Sequence, residues 1–169
     1  MKKCIPLTLS HIIDSSTSVY VRYRFYREFI DYQNCTLELG QPRVITTYMN
    51  MKKLQTKNQA VIGELLGICS RTWSKYKNDI VQPLWTVKGE DEHFTLMPFE
   101  VFDMFITWLD TVAATFNAKE ALLKFYCYMY FHAGQFKMGY QQSQENIAIE
   151  LGTTVKLVNQ RLKQLRDAG

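Results

Sequence analysis

Two short stretches of this sequence carry side chains suited to reading a nucleic acid. Ser70, Arg71, Thr72, Ser74, Lys75 and Lys77 form one set, and Thr153, Thr154, Lys156, Asn159, Gln160 and Lys163 form the other. Arginine can pair with guanine, asparagine and glutamine with adenine, and threonine can touch the thymine methyl, whereas lysine more often neutralises phosphate. Lys57 and Lys88 flank the first set and Ser143 and Gln144 precede the second, completing the candidate contacts to double-stranded DNA.

Other chemistries find less support. His11, His93 and His132 and the four cysteines, Cys4, Cys35, Cys69 and Cys127, have no metal-ligand spacing. Cys127 and His132 fall on one predicted helix, but five residues apart they do not share a face well. Tyr126, Tyr128 and Tyr130 could suggest the nucleophile of a rolling-circle nuclease, yet the histidine metal site such an enzyme needs is missing. There is no glycine-rich phosphate loop, no HExxH and no GxSxG. The expectation is a protein that is not an enzyme and uses no cofactor or metal.

What must position the two sets is a pair of helices meeting at a tight corner. The second helix crosses the first so closely that a small residue is needed at the crossing, and the turn favours glycine because its backbone takes positive φ. A bulky apolar residue on the second helix then packs back and fixes its angle. Gly63, Gly67 and Trp73 occupy relative positions 0, +4 and +10, and Ala148, Gly152 and Val158 occupy the same three, 85 residues on. Polar openings precede both, Gln55 to Gln59 and Gln142 to Glu145. The predicted reading helices are Cys69–Ile80 and Thr153–Arg166. Trp73 is large for an anchor, which predicts a splayed corner or a partly exposed indole.

Charge follows these units. Residues 50–89 hold seven lysines and arginines against two acids, and residues 137–169 hold five against three, whereas the whole chain of 169 residues carries only +4. The rest is therefore net negative. With 47% apolar residues a core can be buried, and the 14% aromatic share points to broad ring-packed interfaces, some of which could face a second subunit in a homodimer. The dispersed cysteines, without a CxxC pair and without a signal-like opening, suggest a reduced, cytoplasmic protein. No apolar run reaches the roughly 20 residues that cross a bilayer. The greasiest, Ala121 to Ala133, is interrupted by Lys124 and His132 and reads as a buried helix.

Other elements are predicted as follows. Ile5 to Leu9 reads as a strand or extended arm, since Pro6 disfavours helix before it. Asp14 to Ser18 offers N-caps for a helix over Val19–Tyr32, whose Arg22, Arg24 and Arg27 are expected on a solvated or ion-paired surface, with phosphate contact as the alternative. Cys35, Leu37 and Leu39 alternate as in a strand, ended by Gly40-Gln41-Pro42, and Val44 to Leu54 fits helix or strand. Leu84 to Val87 and His93 to Met97 are expected to pair as a hairpin wing around residues 88–92. Over Pro98–Phe116 the apolar residues recur three or four apart, giving a linker or dimer helix. Asn117, with Glu120 as a capping box, would start a helix over Ala118–Ala133 that ends at Gly134.

The stretch from Lys119 to Gly169, with "SQENIAIELGTTVKLVNQRLKQLRDAG", resembles the winged-helix domains of MarR-type regulators and of plasmid or phage replication initiators. Residues 56–98, with "LLGICSRTWSKYKNDI", resemble the same superfamily. The resemblance implies sequence-specific DNA binding, commonly by a dimer or by paired domains. The expected fold is mainly α: two winged-helix-like (helix-turn-helix) units with small β wings, bridged by a long helix. The first unit would span 1–98, the bridge 99–117 and the second unit 118–169, where a wing after Leu165 is absent or truncated. The leading role is a transcriptional regulator of bacterial or mobile-element origin. A replication initiator is the alternative, and a protein-interaction adaptor is the reading from another class.

Overall fold

In a computed structural model, the structure describes residues 3–14, 16–38, 43–88, 93–135 and 143–168. These residues form nine helices and five strands: β1 (Cys4–Thr8), α1 (Leu9–Ile13), α2 (Val19–Phe29), β2 (Thr36–Glu38), β3 (Val44–Tyr48), α3 (Met51–Gln55), α4 (Gln59–Leu66), α5 (Ser70–Ile80), β4 (Leu84–Lys88), β5 (Phe94–Pro98), α6 (Phe99–Val112), α7 (Phe116–Gln135), α8 (Gln144–Leu151) and α9 (Val155–Ala168). The fold is mainly helical with small antiparallel sheets. None of its described helices is long and apolar enough to cross a membrane, and all four cysteines are free.

The strands expected at 84–87 and 93–97 are present, but they do not form a hairpin with each other. β4 pairs with β3, with Ile45 opposite Val87, in the sheet β2-β3-β4, and β5 pairs with β1, with Ile5 opposite Met97. Both strands pair instead with segments remote in the chain. Phe94 turns inward beneath Ile45 and Val87, while every residue of β1 is buried, with α1, α2 and α7 packed over it. Pro6 is tolerated in β1 because that strand has a partner on one side only, which leaves an edge that needs no N–H. The hairpin tip at 89–92 and the turn at 40–42 lie outside the described residues. Segment 44–54 resolves into a strand followed by a short helix, α3, capped by the Asn50 side chain.

The 98–116 helix stops at Val112. Thr115 then starts α7, its hydroxyl accepting from the Ala118 N–H at 3.2 Å. Asn117 thus lies inside the first turn of α7, and Glu120 does not close a local capping box. Its carboxylate instead accepts from Ser18 Oγ at 2.6 Å and from the Val19 and Tyr20 N–H groups at 2.8 Å, capping α2 from across the interior. Three donors on one carboxylate at a helix N-terminus satisfy groups that α2 itself cannot. At its other end α7 passes through Gly134 to Gln135.

One buried cluster runs through the molecule. It joins Ile62, Leu66, Trp73 and Ile80 to Phe102, Phe105, Ile106 and Leu109 of α6, to Leu123, Phe125, Cys127 and Tyr128 of α7, and to Ile147, Leu151 and Val158. On α6, Val112 of the predicted stripe is left 48% exposed and Met104 72%. At the edge of the cluster, His11 lies 5.1 Å from the Trp85 ring. Burial, helped by the nearby Arg22, lowers its pKa from 6.5 to about 4. The unfolded chain therefore takes up a proton before the folded one does, so the stability due to neutral His11 is complete above pH 6.5 and is lost as pH falls toward 4. A loss of up to about 3 kcal/mol is expected across that window. Urea midpoints measured at pH 7 and pH 4.5 should differ less in His11→Gln than in the parent chain.

Candidate nucleic-acid interface

The two predicted corners close with the same pair of backbone hydrogen bonds at equivalent residues. In the first, the Ile68 N–H donates to Gly63 O at 2.8 Å and the Gly67 N–H to Glu64 O at 3.1 Å. In the second, Thr153 N–H donates to Ala148 O at 2.9 Å and Gly152 N–H to Ile149 O at 3.2 Å. These are the paired bonds with which a left-handed glycine closes a helix, and Gly67 (φ 68°) and Gly152 (φ 64°) have the positive φ that this requires. The first helices are capped at matching positions too: Asn58 accepts from Val61 N–H at 2.9 Å and Ser143 from Asn146 N–H at 3.2 Å. The second helices begin at equivalent residues, Cys69 and Thr154, and only the latter caps with its side chain, accepting from the Leu157 N–H.

The crossing is close enough to explain the small residue. A Cβ on Gly63 would stand 2.8 Å from the Ile68 carbonyl oxygen, so that the backbone of the turn would have to shift, whereas one on Gly152 would meet open space. In an ordinary helix interior Gly→Ala stabilises by up to about 1 kcal/mol. Here the sign reverses: Gly63→Ala is expected to cost about 1–3 kcal/mol by overpacking, and Gly152→Ala about 1–2 kcal/mol from its backbone conformation alone. Thermal unfolding of the two variants measures both.

Each corner rests on a longer helix. For the first it is α2: Phe25 stacks on Trp73 with ring centres 5.4 Å apart, and Arg24 donates to the carbonyls of Leu65 and Leu66 at 3.1 Å, covering the open end of α4. Trp73 is 2% exposed, so the corner has accommodated its large anchor without splaying. For the second it is α7, whose Tyr128 donates to the carboxylate of Glu150 on α8 while His132 lies 3.8 Å from it. The arginines of α2 are thus structural. Arg27 forms a bidentate pair with Asp103 at 3.0 Å, as expected of a surface ion pair, but Arg22 is buried against the Tyr26 hydroxyl at 2.9 Å.

Superposing the copies by their 85-residue offset matches Arg71 with Lys156, Lys75 with Gln160 and Asn78 with Lys163, all of them exposed. Both second helices therefore turn cations and amides away from their anchors, and Ser70 and Asn159 are exposed beside them. Several other predicted residues lie elsewhere. Lys77 follows Trp73 by one helical turn, which puts it on the anchor's side, half-buried. Ser74 donates to Gln59 of α4 at 2.6 Å, and the Thr72 hydroxyl contacts Cys69 Sγ at 3.1 Å. Thr153 sits in the turn and lines an open cavity. Thr154 and Ser143 serve as caps, Gln144 is half-buried, and Lys57 is half-buried in the bend between α3 and α4. Lys88 is exposed at the end of β4, opposite Val44. Asn78 was absent from the predicted set, although the 85-residue offset onto Lys163 picks it out.

Among the described residues no group of three or more histidine, cysteine or acidic side chains is arranged to hold a metal ion. No protein-family model, curated protein or solved structure matches the chain.

Proposed function

We propose that this chain is a sequence-specific double-stranded-DNA-binding protein, a transcriptional regulator that uses two helix-turn-helix units of winged-helix type. The observation that carries the reading is the repetition of one corner at a fixed offset, in each case with an outward face of cations and amides. A helix of that kind, held by a buried anchor, can enter a major groove with base-reading side chains foremost. The wing of the first unit is then the sheet β2-β3-β4 instead of a β4-β5 hairpin, with Lys88 at its end.

Arg71, or Lys156 at the equivalent position, makes a base contact or a phosphate contact in this arrangement. Arg71→Ala is expected to weaken binding by about 1–3 kcal/mol and to relax preference at one base pair if it reads guanine. Gel shift with duplex DNA at low and high salt tests the proposal. A protein-interaction adaptor would give no salt-sensitive shift, and that result would overturn the DNA-binding reading.

A further inference from the structure

Between α5 and the second corner the structure holds an open cavity of about 350 Å3, within the range of small-ligand sites. Tyr76 of α5 and Arg161 of α9 both line it, and they are equivalent residues under the 85-residue offset, each three positions beyond its anchor. The cavity therefore lies where the flanks of the two second helices approach a shared space. Lys124 of α7 supplies a second cation, and the half-buried Phe116 and Tyr76 supply an aromatic wall.

The charges there are unevenly satisfied. Of the two carboxylates lining the cavity, Glu120 already accepts three hydrogen bonds from the start of α2, and Asp14 accepts two from Ser16. Neither pairs with a cation of the cavity. Lys124 and Arg161 are both half-buried, and no ion pair joins either to a described carboxylate. Burial lowers the pKa of Arg161 with no anion acting to restore it. A half-buried guanidinium with its fork unused, beside an ammonium and aromatic rings, suits a planar or tetrahedral oxyanion carried on a flat apolar body.

The geometry points to a binding site for a small organic phosphate between α5 and the second corner, its oxyanion held by Lys124 and Arg161 and its apolar part against Phe116 and Tyr76. A ligand seated there touches both second helices, so its occupancy is linked to their relative position.

Calorimetric titration with phenyl phosphate, in the absence of DNA, tests the site. The full chain is expected to bind phenyl phosphate more tightly than inorganic phosphate or phenol, and Arg161→Gln and Lys124→Gln are each expected to weaken binding at least tenfold. Arg161→Lys should restore part of it, and Lys52→Gln, on the exposed surface of α3, should leave it unchanged. If Arg161→Gln proves poorly folded, Lys124→Gln carries the comparison. Absence of phenyl phosphate binding to the parent chain, or an equal loss in Lys52→Gln, would overturn the proposal. Because no DNA is present, that failure would leave the DNA-binding reading standing.

Discussion

Replacing Trp73 by alanine is expected to remove about 3–5 kcal/mol of stability, in the range of the largest core truncations. The indole is 2% exposed and lies flat on Phe25, which in turn stacks on Phe29 at 4.8 Å. This column joins α5 to α2 and sets the angle at which α5 leaves the corner. Alanine would lose the ring contacts and leave a void whose rigid aromatic walls cannot collapse. Phenylalanine should retain much of the stacking. Urea unfolding provides the measurement: a loss below about 1 kcal/mol would mean that Trp73 does not anchor the corner. If α5 reads DNA as proposed, any Trp73→Ala protein that remains folded should also bind duplex DNA poorly, since α5 no longer has a fixed direction.

The second large effect concerns salt. If both reading helices engage one duplex, about eight phosphate contacts predict that affinity falls with a log-log slope near −7, or about 10⁴-fold between 50 and 200 mM salt. Arg71, Lys75, Lys156 and Lys163 are exposed on the outward faces, and Lys88 projects at the end of β4. Removing a phosphate-contacting lysine should lower the slope by about 1 and weaken all sequences alike. Lys77, half-buried beside the anchor, should change the slope less than Lys75 does. Fluorescence anisotropy across a salt series separates these cases.

The features legible in the sequence were those that arise within a few residues. The small residue, glycine and anchor at 0, +4 and +10 answer a steric problem internal to the corner, so Gly63, Gly67 and Trp73 and their second copies could be found by spacing. Ser18 likewise lay among the predicted caps, and it accepts from the Val21 N–H. What escaped was set by partners far along the chain. The β4 and β5 segments were visible, but nothing in either says that it pairs with residues 44–48 or 4–8. Glu120 looked like a local cap because it follows Asn117 by three, yet it serves α2 about 100 residues away. Arg24 read as surface charge, and its carbonyl acceptors belong to α4. Among the candidate contacts, Lys77 was misplaced because its residue type suggested an outward face that its position, four after Trp73, denies.

The central claim is that the two outward faces read base pairs in one duplex. Selection of bound sequences from a random duplex pool tests it most directly, because it reports preference, symmetry and spacing together. The expected result is enrichment of two short blocks at a fixed separation, with preference relaxed at one position of one block in Arg71→Ala and within the other block in a variant combining Asn159→Ala and Gln160→Ala. A footprint at a palindrome over a promoter would fit regulation, and one at direct repeats within an origin would fit replication initiation. A pool that emerges unenriched, or a single block indifferent to both variants, would contradict the account.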